Sequence, residues 1–227
     1  MVSNRRVIEF NVGGREAQGY IVEPSGSGGR PGLVVIHEWW GLNDHIKDIA
    51  GRFADKGFFV LAPDLYDGKI AKDPDEAGKL MQGLDQNRAL ETLSGAVDHL
   101  KSQERVNSEA IGVTGFCMGG TYALLLACHN KSIKAAAPFY GDVPSEDVLK
   151  NLSAPILFIG AENDPWINQD KMNRLKEALT KLNKEGEVKV YGGVGHAFFN
   201  DTRPEAYDRE AAEDAWARVN QFFADEL

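Results

Sequence analysis

GVTGFCMGGTYALLLACHN, residues 112–130, joins a short apolar run that contains β-branched residues to a longer apolar stretch typical of a helix. Cys117 stands at the junction, between Gly115 and Gly119. Glycines at these positions let backbone segments approach closely at a sharp strand-to-helix turn, which presents the intervening side chain as a nucleophile. The positive end of the helix macrodipole favours a thiolate there. The pattern therefore predicts a strand, a nucleophilic cysteine and a helix in direct succession.

Strand-like and helix-like stretches alternate on both sides of this unit. The strand-like runs are apolar throughout, as in strands buried on both faces, and they cover residues 33–37, 58–63, 110–115, 134–141, 155–160 and 187–192. Amphipathic stretches lie at 44–56, 72–102, 118–130, 145–151, 166–183 and 204–225. Near the N-terminus, VIEFNV and GYIVEP flank GGREAQ and predict a β-hairpin. We therefore predict one three-layer α/β domain over residues 1–227, with a mainly parallel central sheet and an antiparallel hairpin at one edge.

Composition and charge restrict the partners. A net charge of −9 provides no basic surface for phosphates, so neither a nucleic acid nor an anionic membrane is expected to bind. No apolar run reaches the roughly 18 residues of a membrane helix, and MVSNRRVIEFNVGG lacks the apolar core of a signal peptide. If Cys117 and Cys128 share a helix, they lie about 16 Å apart, too far for a disulfide, and free thiols suit a reducing compartment. We predict a cytoplasmic protein; the sequence does not set its oligomeric state.

Partners for the cysteine follow later strands, in the order nucleophile, acid, histidine that α/β-hydrolases use. His196 lies in the glycine-flanked loop GVGHAFF. Asp164 precedes a proline that fixes a turn, while Glu162 and Asp142 are alternative acids. Because ligands in such sheets bind beyond the carboxyl ends of the strands, we predict that Cys117, Asp164 and His196 meet there. An inert core cysteine is the alternative interpretation of Cys117.

The stretch LVVIHEWWGLND, residues 33–44, carries a second candidate acid. Its strand ends at His37 and Glu38, and Trp39 and Trp40 follow. A carboxyl group beside bulky aromatic side chains at a sheet edge is partly desolvated, which raises its pKa; the alternative is a solvated loop glutamate. His37 is expected to line the site without taking part in the chemistry. No two histidines have metal-ligand spacing, so no metal is predicted.

Together these motifs resemble the dienelactone hydrolase family, α/β-hydrolases that open small enol lactones with a Cys–His–Asp triad. The resemblance runs essentially end to end, through HEWWGLN, APDLYDG, GFCMGG, FYGD, AENDPW and GHAFF. It implies that Cys117 is the nucleophile, that His196 is the base, and that Asp164 orients His196. It also implies that Glu38 holds the resting thiol and takes its proton when substrate binds.

The resemblance further implies an α/β-hydrolase fold and a setting for the reacting carbonyl. The oxyanion hole would be the N–H groups of Met118 and Trp39. The predicted substrate pocket is lined by aromatic and polar side chains: Trp40, Tyr140, Trp166, Phe198, Phe199, Asn200 and Arg203. The reaction would be acyl transfer through a thioester on a small lactone or activated carboxylic ester, with no metal or organic cofactor.

The sequence departs from the family where family members hold the substrate's carboxylate with two arginines. Four residues after the histidine this chain has Asn200, and the stretch AKDPDEAGKL contains only Lys72 and Lys79 as cations. Arg203 is the cation in the neighbouring loop. A broad carboxylesterase acting on uncharged activated esters is therefore the alternative function. A non-catalytic binding module is a further alternative, against which the complete triad argues.

Overall fold

Eight strands build one sheet in the computed structural model, which describes residues 4–227. In chain order they are β1 (Asn4–Val12), β2 (Arg15–Glu23), β3 (Arg30–Ile36), β4 (Phe59–Pro63), β5 (Val106–Phe116), β6 (Ile133–Phe139), β7 (Ile156–Ala161) and β8 (Gly186–Tyr191). Their order across the sheet is β1-β2-β4-β3-β5-β6-β7-β8. The pairs that involve only β3 to β8 are parallel, whereas β2 is antiparallel to both β1 and β4. The mainly parallel sheet with an edge hairpin is thus confirmed; residues 1–3 of the predicted domain and N-terminal segment lie outside the described residues.

Helices cover both faces of the sheet. They are α1 (Asp44–Asp55), α2 (Pro74–Gln82), α3 (Gln86–Lys101), α4 (Met118–His129), α5 (Glu146–Leu149), α6 (Gln169–Lys181) and α7 (Arg209–Glu226). One core cluster joins the sheet to α3, α4, α5 and α6, and the other joins it to α1 and α7. This is the expected three-layer arrangement, with apolar strands buried between two helical layers. Among the described residues, no helix combines the length and apolar character that crossing a membrane requires.

The amphipathic stretch 72–102 was predicted as one element, and the structure divides it into two helices. α2 ends at Gln82, and Gly83 follows as its C-cap. Asp85 then adopts an extended conformation, and its carboxylate accepts a hydrogen bond from the N–H of Arg88 at 2.8 Å. This cap starts α3, because an N-cap residue leaves helical geometry and satisfies a free N–H of the first turn. The α2 helix buries only Ala77.

Candidate active site

The turn from β5 to α4 places Cys117 at the carboxyl edge of the sheet. Cys117 has φ 56° and ψ −118°, a conformation that L-residues rarely adopt. A Cβ at Gly115 would collide with the carbonyl of Gly119, and one at Gly119 would collide with the carbonyl of Ile36. Glycine is therefore required at both positions. The same close approach packs the start of α4 against the end of β3.

His196 and Asp164 are joined by a short hydrogen bond. Asp164 follows β7 and His196 follows β8, and Nδ1 of the imidazole lies 2.5 Å from Oδ2 of the carboxylate. The other carboxylate oxygen, Oδ1, accepts from the N–H groups of Trp166 at 2.8 Å and Ile167 at 2.9 Å. Burial acts to raise the pKa of Asp164, but the hydrogen bonds from His196 and these two N–H groups outweigh it and lower the pKa. Asp164 is thus a fixed anion that directs Nε2 of His196 away from itself.

Cys117 lies close enough to His196 for their charges to interact. Burial on its own lowers the pKa of His196, but the bond to Asp164 and the Cys117 sulfur outweigh it and raise the pKa to about 10. The sulfur acts through a hydrogen bond to the imidazole and through its charge, although within the described residues the buried Nε2 of His196 has no partner with strict hydrogen-bond geometry. A positively charged imidazole beside the sulfur is the setting in which proteins use cysteine as a nucleophile. It can carry out nucleophilic attack followed by proton transfer to a leaving group.

The two other candidate acids have structural roles. The carboxylate of Glu162 accepts from the N–H of Gly193 at 2.8 Å and is exposed. Asp142 forms an ion pair with Lys171 at 2.7 Å and is also exposed. The geometry therefore favours Asp164 as the partner of the histidine. No cluster of three or more His, Cys, Asp or Glu side chains in residues 4–227 could hold a metal ion.

Glu38 is buried at the end of β3, with 2% of its surface exposed. Burial raises its pKa, although the hydrogen bond from Asn200 and the positive charges of His196 and Arg203 oppose this. Its carboxylate accepts from Nδ2 of Asn200 at 2.8 Å and makes no hydrogen bond with Cys117 in the described part of the chain. The desolvated acid is as expected, whereas the predicted hold on the resting thiol is not made by a hydrogen bond between these described residues. In this structure, the sulfur interacts with His196 instead.

His37 holds the Glu38 backbone. Its Nε2 accepts from the N–H of Leu65 at 3.1 Å, so Nδ1 carries the proton and donates to the carbonyl of Glu38 at 2.6 Å. His37 is completely buried. The prediction that His37 lines the site is therefore wrong: its side chain is inside the protein, where it supports the backbone of Glu38.

Three predicted pocket residues lie deeper than expected. Phe198 and Phe199 are buried in the core, where Phe199 stacks on Phe116 with a centroid distance of 5.3 Å. The amide of Asn200 is engaged inside the protein: Nδ2 donates to Glu38, and Oδ1 accepts from Thr202. These side chains do not line an open pocket. The motif GHAFF carries two adjacent aromatic residues because the loop after His196 is anchored in the core.

Tyr140 lies directly after β6 and packs its ring 5.0 Å from that of His196. It has a positive φ of 35° and is 1% exposed. Within the described residues, its hydroxyl has no hydrogen-bond partner. Burial and the nearby charges of Glu38 and Cys117 raise its pKa well above the usual value, so it is a neutral donor. Its ring therefore packs against the histidine inside the protein, and like Phe198 and Phe199 it lies deeper than predicted.

The rim of the site is aromatic. Trp166 is 62% exposed, and its indole meets the His196 ring edge-on at a centroid distance of 5.0 Å. The guanidinium of Arg203 lies 5.7 Å above the ring of Trp40 and binds Glu205 at 2.8 Å. Trp166 is thus the exposed aromatic side chain next to His196, whereas Trp40 and Arg203 pack on each other.

The predicted oxyanion donors come from adjoining elements. Met118 opens α4, so its N–H belongs to the first turn and has no acceptor within the helix. Trp39 directly follows Glu38 in the turn closed by the hydrogen bond from Gly41 N–H to the Glu38 carbonyl. The side chain of Met118 accepts a hydrogen bond from the Tyr66 hydroxyl at 3.2 Å. Sequence reasoning missed Tyr66, although it lies in the quoted motif APDLYDG.

Comparison with a family model and with known proteins shows which proteins this chain is similar to. The model of the dienelactone hydrolase family matches residues 17–227. The "Putative carboxymethylenebutenolidase" of Aquifex aeolicus is 37% identical over 226 residues, 96% of this chain and 97% of that protein. Protein usf of Aquifex pyrophilus is 41% identical over 231 residues, 98% and 99% of the two chains. A dienelactone hydrolase-like promiscuous phosphotriesterase from metagenomic libraries has a TM-score of 0.91 at 25% identity, covering 100% of this chain and 99% of that one.

Proposed function

Because the chain belongs to the dienelactone hydrolase family, we propose that it hydrolyses small lactones or activated carboxylic esters through a thioester on Cys117. The chain has the α/β-hydrolase fold and is a carboxylic ester hydrolase by its family. The observation that carries the finer proposal is the convergence of Cys117, His196 and Asp164 beyond β5, β8 and β7, with the His–Asp pair at 2.5 Å. The free thiols of Cys117 and Cys128 suit the cytoplasm, which we propose as its location.

The first step is acylation. The Cys117 thiolate attacks the carbonyl carbon, a sulfur–carbon bond forms, and the carbonyl electron pair moves onto oxygen. The N–H groups of Met118 and Trp39 donate to that oxyanion. When the intermediate collapses, the carbon–oxygen bond of the ester breaks, and the leaving alcohol or enolate oxygen takes the proton from Nε2 of His196. The thioester remains on Cys117.

Deacylation reverses the proton flow. His196 removes a proton from water as the water attacks the thioester carbonyl. The sulfur–carbon bond then breaks, which releases the carboxylic acid and restores the thiolate. Asp164 keeps the proton of His196 on Nδ1 throughout, so that Nε2 remains free to exchange protons. Activated esters suit this cycle, because a poor leaving group would let the thiolate be expelled instead.

A direct test is to trap the acyl-enzyme. The protein is mixed with p-nitrophenyl acetate and quenched in acid during the first turnovers, and peptide mass spectrometry locates the acetyl group. We expect acetylation of Cys117 and turnover of activated esters. Turnover without any acyl group on Cys117 would contradict the thioester route.

The substrate preference is a separate prediction. A buried carboxylate without a cation costs several kcal/mol, and here Asn200 is occupied by Glu38 while Arg203 is paired with Glu205. We therefore expect kcat/KM for a dienelactone methyl ester to exceed that for the free acid by at least about tenfold. The two substrates differ mainly in charge, which makes them a matched pair. Equal or faster turnover of the free acid would show that Arg203 exchanges Glu205 for the substrate.

Glu38→Gln tests whether the buried acid controls the thiol. The pKa of Glu38 is raised, so the carboxyl is neutral below that pKa and is an anion facing His196 above it. The variant should therefore match wild type at low pH and alkylate Cys117 about threefold to tenfold more slowly above the pKa of Glu38. Iodoacetamide kinetics across pH would measure this. Asp44→Asn, at a fully exposed acid on the same segment, is the control.

The binding-module alternative makes a different prediction for the thiol. A cysteine with no catalytic role should react with iodoacetamide no faster than a free thiol in solution. Proximity to His196, whose pKa is about 10, should instead make Cys117 react faster at neutral pH. Slow alkylation together with no ester turnover would favour the binding module.

A further inference from the structure

Two neighbouring residues of the loop after His196 bind the segment that carries Glu38, and they do so at two separate points. We propose that Asn200 and Asp201 are positioning residues that hold Glu38 in its place beside the triad. Asn200 and Asp201, with His45 and Arg52 of α1, are called the loop clamp. This proposal rests on the proposed function of Cys117, whose reactivity reports the position of Glu38.

The first attachment point is the amide of Asn200, whose orientation is fixed by hydrogen bonds from Thr202 to its oxygen. Oδ1 accepts from the N–H of Thr202 at 3.1 Å and from its hydroxyl at 2.7 Å. Nδ2 must therefore point the other way, where it donates to Oε2 of Glu38 at 2.8 Å. Asn200 is 1% exposed, so water does not compete for this bond. A hydrogen bond to a carboxylate is among the stronger ones in proteins.

The second attachment point is the carboxylate of Asp201, which contacts α1. Oδ2 accepts a hydrogen bond from the guanidinium of Arg52 at 2.5 Å. Oδ1 lies 3.3 Å from Nδ1 of His45, but the two atoms do not have hydrogen-bond geometry. His45 is 5% exposed. Arg52 also binds Asp48 at 2.6 Å, on the exposed side of the same helix. Arg52 is therefore the cation that joins the loop to α1.

The two points close a ring of contacts between two chain segments. Glu38 and His45 belong to one continuous segment that runs from β3 into α1, whereas Asn200 and Asp201 are adjacent in the other. The N–H of Asn200 also donates to the carbonyl of Ala197 at 2.9 Å, which ties the clamp to the residue after His196. A shift of Asp201 must therefore move Asn200, and with it the bond to Glu38.

Different charged groups face Asp201 and Glu38. His45, Arg52 and, through Arg52, Asp48 face Asp201. His196, Arg203 and the neutral Asn200 face Glu38, and the Tyr140 hydroxyl lies close to the same carboxylate. A substitution at Asp201 thus leaves every charge that faces Glu38 in place. Any change in Glu38 behaviour in that variant must come through position.

The experiment compares Asn200→Ala and Asp201→Asn with Asp48→Asn, which changes the other partner of Arg52. Iodoacetamide alkylation of Cys117 across pH and kcat/KM for p-nitrophenyl acetate are measured, with thermal melts to verify folding. We expect kcat/KM to fall about tenfold in Asn200→Ala and about threefold in Asp201→Asn, and to stay within about twofold in Asp48→Asn. Both clamp variants should change the alkylation profile in the same pH range as Glu38→Gln.

A double variant shows whether the clamp acts through Glu38. Glu38→Gln with Asn200→Ala should behave like Glu38→Gln alone, because residues that act through one another are not additive. Fully additive losses, or a wild-type alkylation profile in folded Asn200→Ala and Asp201→Asn, would overturn the clamp. Alkylation needs no ester turnover, so a failure of the proposed function would leave this readout intact.

Discussion

Cys117→Ala is expected to reduce ester hydrolysis to background, a loss of about four orders of magnitude or more, because no covalent intermediate can form. Alanine has a Cβ like cysteine, so the backbone at φ 56° is no more strained than before. The thermal melt should stay close to wild type. Cys117→Ser should also be poor, since a pair tuned to a thiolate does not deprotonate a hydroxyl well. Rates with p-nitrophenyl acetate and far-UV circular dichroism melts measure both effects.

Cys128, in the helix α4 that begins directly after Cys117, is the matched control. It is 6% exposed, and burial raises its pKa to about 12, so its thiol is inert. Cys128→Ala should retain activity and lose about 1 kcal/mol of stability through the removed sulfur. Iodoacetamide should label Cys117 alone in the folded wild type. Activity that survives in Cys117→Ala and disappears in Cys128→Ala would reverse the assignment.

Asp164→Asn is expected to lower kcat by about three to four orders of magnitude, as loss of the acid does in serine triads. The amide weakens the hydrogen bond and removes the charge through which Asp164, together with Cys117, raises the pKa of His196 to about 10. That pKa should therefore fall, so the imidazolium is lost at a lower pH in the variant than in wild type. Cys117 would then lose its positive partner within the neutral range. The alkylation rate of Cys117 at neutral pH should fall in parallel with kcat.

Glu162→Gln distinguishes this effect from a general disturbance of the loop. Glu162 lies two residues before Asp164 and holds the N–H of Gly193, but it does not contact the histidine. We expect activity within about threefold of wild type, the size of a lost exposed contact. If Glu162→Gln has the large effect and Asp164→Asn the small one, Glu162 and not Asp164 is the acid that orients His196.

The sequence predicts the framework well, for local physical reasons. Each inner strand is a short apolar run bounded by turn residues, and each candidate catalytic group directly follows one of these runs. Once the strands are parallel, their carboxyl ends meet, and Cys117, Asp164 and His196 come together without any further information. The division of 72–102 was less accessible, since the cap at Asp85 lies within a stretch that otherwise has helical spacing.

The contacts around Glu38 depend on pairings that no local pattern records. Asn200 lies 162 residues from Glu38, and Asp201 lies 149 residues from Arg52. A family position that elsewhere carries an arginine invites a substrate-binding interpretation of Asn200, yet burial turns its amide inward. The packing of Phe198 and Phe199 into the core and the hydrogen bonds from Thr202 to the amide together set that direction. The polarity of the Asn200 side chain alone does not predict which way its amide points.

The glycine contacts at the turn also decide where variation is possible in this molecule. A Cβ at Gly115 or Gly119 would collide with backbone carbonyls, so we expect active clones from a library randomised at these codons to retain glycine, whatever the substrate offered. Trp166, by contrast, is mostly exposed: its backbone N–H, which holds Asp164, is kept by other residues at this position, and only its indole, beside His196, would change. We therefore expect new substrate ranges to arise from substitutions at exposed positions such as Trp166, while the turn around Cys117 keeps its sequence.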